Sequence, residues 1–226
     1  MTFLYLDNNA TTAVDPLVMA AMEQSYRDTP ANPASQHQAG QQARQAIDIA
    51  RQGIASTLGA SLQDRQDQLL FTSGATESNN LAILGLAGAK PGKIVLSSIE
   101  HPSLLGPAEH LRRSGWDLCL ISTDSNGTVN LKHAEELITP GTRLVSVMLG
   151  NHETGAIQPV SELAAICQSA GVALHTDATQ VVGKIPVDFK ALQVDSLSFS
   201  AHKFHGPPGI GGLLMKHDLD LHPVFH

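Results

Sequence analysis

Gln68-Leu69-Leu70-Phe71-Thr72, followed directly by Ser73-Gly74-Ala75-Thr76-Glu77-Ser78, decides how this chain folds. The first five residues form a short apolar run bounded by turn signals, the mark of a buried strand. Small residues follow, and a helix begins near Thr76, with its pattern carried by Glu77 to Ala89. A strand, a tight turn and a helix make up the repeating half-unit of an α/β sheet.

The same alternation continues on either side. Further apolar runs lie at Lys93–Ser97, Asp117–Ile121, Arg143–Leu149, Val172–Thr176, Val194–Ser200 and Gly212–Met215. Helical patterns at Ser103–Ser114, Leu131–Ile138 and Ser161–Ala170 separate most of them. Upstream, Asp15-Pro16 reads as a helix start, a capping carboxylate before a Pro, and that helix runs through Leu17, Met19 and Met22 to about Tyr26. A loop spans Asp28 to Gln36. A long helix from Gln38 to Leu58 carries Ala43, Ile47, Ala50, Ile54 and Leu58 on one stripe, with Gly59 as its C-cap. The expectation is an α/β fold in three layers with a mostly parallel sheet. There is no internal repeat, and residues 217–226 carry neither a helix nor a strand pattern.

The composition narrows the class. With 226 residues, 42% hydrophobic, the chain is long enough for one domain, or one and part of another, with a core that needs no staples. Fourteen Lys and Arg against 21 Asp and Glu give a net charge of −7, without a basic run, which argues against nucleic acid as a partner. No run approaches the ~20 apolar residues of a membrane span. Met1 to Asn9 has no basic stretch before an apolar run, so no signal peptide is read. Cys119 and Cys167 form no short-spaced pair, and a reducing, cytoplasmic location is expected.

In such folds ligands bind at the carboxyl ends of the strands. The turn after Thr72 offers free N–H groups and a positive helix end to an anion, and Thr76 adds a hydroxyl; a plain capping turn with Thr76 or Ser73 as the cap is the alternative. Asp177, in His175-Thr176-Asp177-Ala178-Thr179-Gln180, is a carboxylate at a strand end that needs a cationic or donor partner, or else a structural ion pair or cap role. Lys203 ends Ser196-Leu-Ser-Phe-Ser-Ala-His-Lys203. There a partly desolvated amine has a lowered pKa and can attack an aldehyde; an exposed, snorkelling lysine is the alternative. An anion cup, a carboxylate and an amine are together the three handles on pyridoxal 5′-phosphate (PLP): phosphate, ring nitrogen and aldehyde.

On these motifs the chain resembles the cysteine desulfurases of the class V aminotransferase family. Tyr5-Leu-Asp-Asn-Asn-Ala-Thr-Thr12 is similar to the family's opening motif and Phe71–Ser78 to its phosphate cup. Glu100-His101, His175–Gln180 and Ser198–Lys203 are similar to its later motifs. The resemblance covers residue 4 to about residue 215. It implies the large domain of a type I PLP-dependent transferase over residues 16–226, with residues 1–15 belonging to the small domain. It further implies that Ala75, Thr76, Ser200 and His202 bind the phosphate, Asp177 pairs with the pyridine nitrogen and Gln180 meets the phenolic oxygen. His101 would stack on the ring as an acid/base. Lys203 would form the Schiff base and carry the substrate's α-proton.

The chain departs from the pattern at His152, in Asn151-His152-Glu153-Thr154-Gly155, where an asparagine is common beside the ring oxygen; an imidazole N–H can still donate there. Ala201 stands where Gly is common. The resemblance also implies a further stretch after His226, with an arginine for the substrate carboxylate and a mobile cysteine, so the C-terminal small domain is expected to be absent. Cys119 and Cys167 match neither role and read as buried small hydrophobes. His202, His205, His217, His222 and His226 have no zinc-site spacing, and no metal is expected. Asp7, Asn8 and Asn9 read most simply as a turn, with lining of the site mouth as the alternative. The function implied is sulfur removal from L-cysteine, leaving alanine and an enzyme persulfide for an acceptor such as an iron–sulfur scaffold, in a homodimer. The alternatives are a selenocysteine or cysteine β-lyase-type enzyme and a non-catalytic PLP-fold subunit.

Overall fold

Each apolar run becomes a strand because its side chains can be buried on both faces at once. A computed structural model describes residues 4–224. The strands are β1 (Asp67–Thr72), β2 (Lys93–Ser97), β3 (Asp117–Ile121), β4 (Thr142–Ser146), β5 (Ala173–Asp177), β6 (Ser196–Ser200) and β7 (Gly211–Lys216). They form one sheet in the order β1-β7-β6-β5-β4-β2-β3. Only β7 runs against its neighbours, β1 and β6; the remaining pairs are parallel.

The helices are α1 (Pro16–Asp28), α2 (Gln38–Thr57), α3 (Ala75–Leu86), α4 (Pro102–Arg113), α5 (Leu131–Leu137), α6 (Val160–Ala170) and α7 (Phe189–Leu192). Successive strand residues point to opposite faces, which divides the core in two. Ile94, Leu96 and Leu144 join Ile83 of α3 and Leu104 of α4. Their neighbours Val95 and Val145, with Leu174 and Leu197, join Ala134 of α5 and Leu163 and Cys167 of α6. The expected three layers are therefore present. Burying each large side chain contributes roughly 1.5–3 kcal/mol, so the face that holds the strand ends has a stiff support.

The element boundaries differ from the sequence reading in instructive ways. The run Arg143–Leu149 leaves the ladder after Ser146, although Val147 and Leu149 still donate to the carbonyls of His175 and Asp177. Helix α3 starts at Ala75, earlier than the side-chain pattern implied. Neither Ser73 nor Thr76 caps it: the N-cap is Gly74, with no side-chain hydrogen bond. Glu77 instead reaches back and accepts from the Ser73 N–H at 2.6 Å and its hydroxyl at 2.7 Å, which lowers the Glu77 pKa. Behind this turn β7 must be glycine. A Cβ on Gly211 would stand 2.7 Å from the Gly74 backbone, and one on Gly212 would stand 2.4 Å from the Phe199 ring.

Asp15 does cap α1, accepting from the Leu17 N–H at 2.7 Å. Yet α1 buries no residue, and Leu17 and Tyr26 are 81% and 77% exposed. The stripe on α2 is covered at Ala43 and Leu58 and partly at Ile54; Ile47 and Ala50 face outward. Gly59, at φ +73°, follows the cap residue Leu58 as the left-handed position that ends the helix. No described helix is long and apolar enough to cross a membrane.

Candidate active site

Parallel strands bring their carboxyl ends to one edge, and β1, β2, β5 and β6 each deliver a polar residue there. These ends surround a cavity of about 650 Å³. All the cofactor-site residues named from the sequence line it: Ala75, Thr76, His101, His152, Asp177, Gln180, Ser200, His202 and Lys203. Gly74, Ala75 and Thr76 present the N-terminus of α3 to the cavity without a side-chain cap. Its first N–H groups have no partner in the helix and face the cavity with the positive end of the dipole.

Asp177 is the last residue of β5 and is 6% exposed. Its Oδ1 accepts the Thr179 N–H at 2.9 Å and its Oδ2 accepts from Asn79 Nδ2 at 2.7 Å. Each oxygen keeps a lone pair for a further donor. Lys203 closes the 3₁₀ turn Ala201–Lys203 after β6. Its Nζ donates to the carbonyls of Asn9 at 2.6 Å and Ala10 at 3.0 Å. Burial holds its pKa below the usual lysine range and Lys184 adds to the lowering, while Asp177 and Asp7 oppose it.

Residues 7–10 form the expected turn, with the Ala10 N–H on the Asp7 carbonyl, and this turn also walls the cavity. The Asn9 carbonyl accepts from Gln180 Nε2 as well as Lys203, and the Asn9 side chain bridges Lys184 Nζ and the His152 carbonyl. Gln180 therefore lines the cavity with both ends engaged, its Oε1 accepting from Lys184 at 2.7 Å. Downstream, Thr12 donates to the His202 carbonyl through its N–H and its hydroxyl, and His202 Nδ1 lies 3.1 Å from Thr11 Oγ1. The His101 and His152 rings meet edge to face at 5.5 Å. Burial holds His101 below the usual histidine range against the pull of Asp177; His152 and Lys203 add to the lowering.

Sequence reasoning missed the residues behind this wall. Asn79 is fully buried within α3 and links Asp177 to Ser103. Its signal was available, since a polar side chain facing the core of a helix must find a partner. Glu100 was read only as a neighbour of His101. It is buried, and its Oε1 accepts from the Ser97 hydroxyl and the Met148 N–H, while Oε2 has no partner. Burial pushes its pKa up to about 8; the bonds to Ser97 and Met148 oppose the shift.

This has a consequence for stability. Above pH 4.5 the unfolded chain ionises Glu100 while the folded chain keeps it protonated, so the fold loses stability as pH rises towards 8. We expect Glu100→Gln to equal the parent near pH 5 and to exceed it by on the order of 2–4 kcal/mol at pH 9. Thermal unfolding at both pH values measures this; equal pH slopes in the two proteins would rule it out.

The cysteines take no part. Cys167 is buried on α6 and burial pushes its pKa up to about 12. Cys119, expected to be buried, is only half-buried, because β3 is an edge strand. Among the described residues no three His, Cys, Asp or Glu side chains converge as metal ligands, and His226 lies outside those residues.

Known proteins share this fold and much of this sequence. A cysteine desulfurase from Sinorhizobium fredii is 42% identical over 224 residues, 98% of this chain and 57% of that protein. A solved NifS-like protein superposes with a TM-score of 0.93 at 37% identity, over 100% of this chain and 62% of the other. A structure of SspA in complex with cysteine superposes with a TM-score of 0.91 at 36% identity, over 99% of this chain and 65% of the other. The chain thus spans just over half the length of the curated relative it matches. The family model for class-V aminotransferases matches residues 4–224, which takes in every strand of the sheet and every wall of the cavity. The chain belongs to the class-V aminotransferase family.

Proposed function

We propose that this chain is the cofactor-binding part of a PLP-dependent cysteine desulfurase, which removes sulfur from L-cysteine to leave alanine. The observation that carries this reading is the convergence on one cavity of an uncapped helix N-terminus, the carboxylate of Asp177 and the amine of Lys203. The residues fit the group. Gly74 lies so close to Gly211 that the cup has room only for backbone, and Asp177 has acceptor capacity to spare. PLP, when bound, supplies an electron sink that makes the α-proton of an amino acid labile.

In this reading the N–H groups of Ala75 and Thr76, with the hydroxyl of Ser200 and the imidazole of His202, hold the phosphate. Asp177 accepts from the ring nitrogen. Gln180 and His152 would meet the phenolic oxygen, and His101 would stack on the ring. Lys203 holds the cofactor and then, as a base of lowered pKa, moves the α-proton. A relative solved in complex with cysteine supports the substrate. A sulfur acceptor such as an iron–sulfur scaffold, a homodimer and a cytoplasmic location belong to the same reading; the two free cysteines fit a reducing compartment. So does a boundary at residue 15, with residues 1–15 counted to a small domain.

A second reading, a selenocysteine or cysteine β-lyase-type activity, is favoured by one observation: neither cysteine lines the cavity. One experiment addresses both. The chain is loaded with PLP and given L-cysteine in deuterated water, with and without added thiol. Exchange of the α-proton is expected in either case. Alanine formed one-for-one with sulfur carried by the thiol as a persulfide supports the desulfurase; with L-selenocysteine, selenide released one-for-one with pyruvate and ammonia, without any thiol, supports the second reading. A folded, PLP-loaded chain with no α-exchange overturns both in favour of a non-catalytic subunit.

A further inference from the structure

The polar side chains behind the cavity form one directed network. His101 caps α4, its Nδ1 accepting the Ser103 backbone N–H at 3.1 Å. A backbone amide can only donate, so Nδ1 carries the lone pair and the proton of the neutral ring is on Nε2. The Ser103 hydroxyl lies 2.8 Å from the same Nδ1 and must donate to it as well. Its oxygen is then free to accept, and Asn79 Nδ2 supplies a hydrogen at 2.9 Å.

The second hydrogen of Asn79 Nδ2 goes to Asp177 Oδ2. This bond fixes the amide, because the carboxylate accepts and the nitrogen must therefore face it. The other side of Asn79 agrees: its Oδ1 lies 3.4 Å from His175 Nε2, and His175 Nδ1 lies 2.9 Å from the Ser196 hydroxyl. Asn79 is 0% exposed and Ser103 is 7% exposed, so water does not substitute for either.

We propose that Asn79, acting through the Ser103 hydroxyl, is a positioning residue that ties His101 to Asp177 and reinforces the Nε2–H tautomer that the Ser103 backbone N–H selects. It rests on the PLP reading in its purpose, since His101 and Asp177 are assigned there to the face and the nitrogen of one ring. The geometry does not depend on that reading. The consequence is that His101 presents an N–H, and no lone pair, to the cavity. It enters the site as a hydrogen-bond donor. The charged groups that face it are Asp177 from β5, His152 from the loop after β4 and Lys203 from the turn after β6.

The test is nitrogen-15 NMR of histidine-labelled chain without PLP, with His101 assigned by comparison with His101→Asn. The parent is expected to give His101 as a single Nε2–H tautomer. Asn79→Ala and Ser103→Ala keep the Ser103 N–H bond and so the sense of the tautomer, but each is expected to move the His101 shifts measurably towards the averaged values, and Ser103→Thr, which keeps the hydroxyl, to restore the parent shifts. PLP affinity in Asn79→Ala is expected to weaken roughly tenfold, the scale of one buried hydrogen bond.

A parent ring protonated at Nδ1 overturns the proposal without any variant. So do folded Asn79→Ala and Ser103→Ala proteins whose His101 shifts are unmoved from the parent's; Ser103→Ala, which removes only one oxygen, serves if Asn79→Ala does not fold. Failure of the parent to take up PLP would instead overturn the functional reading and leave the tautomer result standing.

Discussion

Lys203→Ala is expected to abolish covalent retention of PLP. The parent, mixed with PLP and treated with borohydride, should carry the cofactor through denaturation, with the added mass on the peptide containing Lys203. The variant should carry less than about one hundredth as much, because among the described residues the only amine near the strand ends with a burial-lowered pKa besides Lys203 is Lys184. Lys184 is held away by Asn9 and Gln180. The change should cost little stability, since the lysine is only partly buried and its bonds run to the exposed turn at Asn9 and Ala10. Equal labelling of parent and variant would remove Lys203 from its assigned role. Labelling moved to Lys184 would show that the turn at Asn9 does not hold that side chain as described.

Asp177→Asn separates holding the cofactor from activating it. The new side chain can still accept the Thr179 N–H through its oxygen. Its amide nitrogen then faces Asn79 Nδ2, so two donors meet where a donor and an acceptor met before. The borohydride-trapped yield should stay near that of the parent because Lys203 is untouched. The rate of α-proton exchange should fall by about 10²–10³, the scale seen when a group that stabilises developing charge is removed. Exchange within about threefold of the parent would mean that Asp177 is an ion-pair or capping residue, the alternative that its strand-end position also allowed.

Much of the fold was legible because the strands are short, apolar and separated by capped helices. Position of the functional strand ends followed from that pattern, and so did the cavity they surround. What was hidden has two physical causes. The first is the start of α3: a helix N-terminus normally announces itself by a capping side chain, and here Gly74 leaves the end open towards the cavity, so the signal was absent. The second is long-range pairing. Nothing local tells that Asn79 meets Asp177, or that Asn9 meets Lys203, since those contacts depend on how strands far apart in sequence are ordered in the sheet. The apolar residues of α1 misled in the opposite sense: spacing identified the helix but does not say what covers it.

The strand order also bears on how the molecule comes into being. Among the described residues strand β1 pairs only with β7, the last of the seven to leave the ribosome. Until β7 is made, β1 has no hydrogen-bonding neighbour, and the cup that follows it has no backing from Gly211. Closing so long a loop is slow, and an unpaired apolar strand invites association with other chains meanwhile. The turn at Ser73–Thr76 is thus among the last features to form, and the open N-terminus of α3 gains its backing only when the sheet is complete.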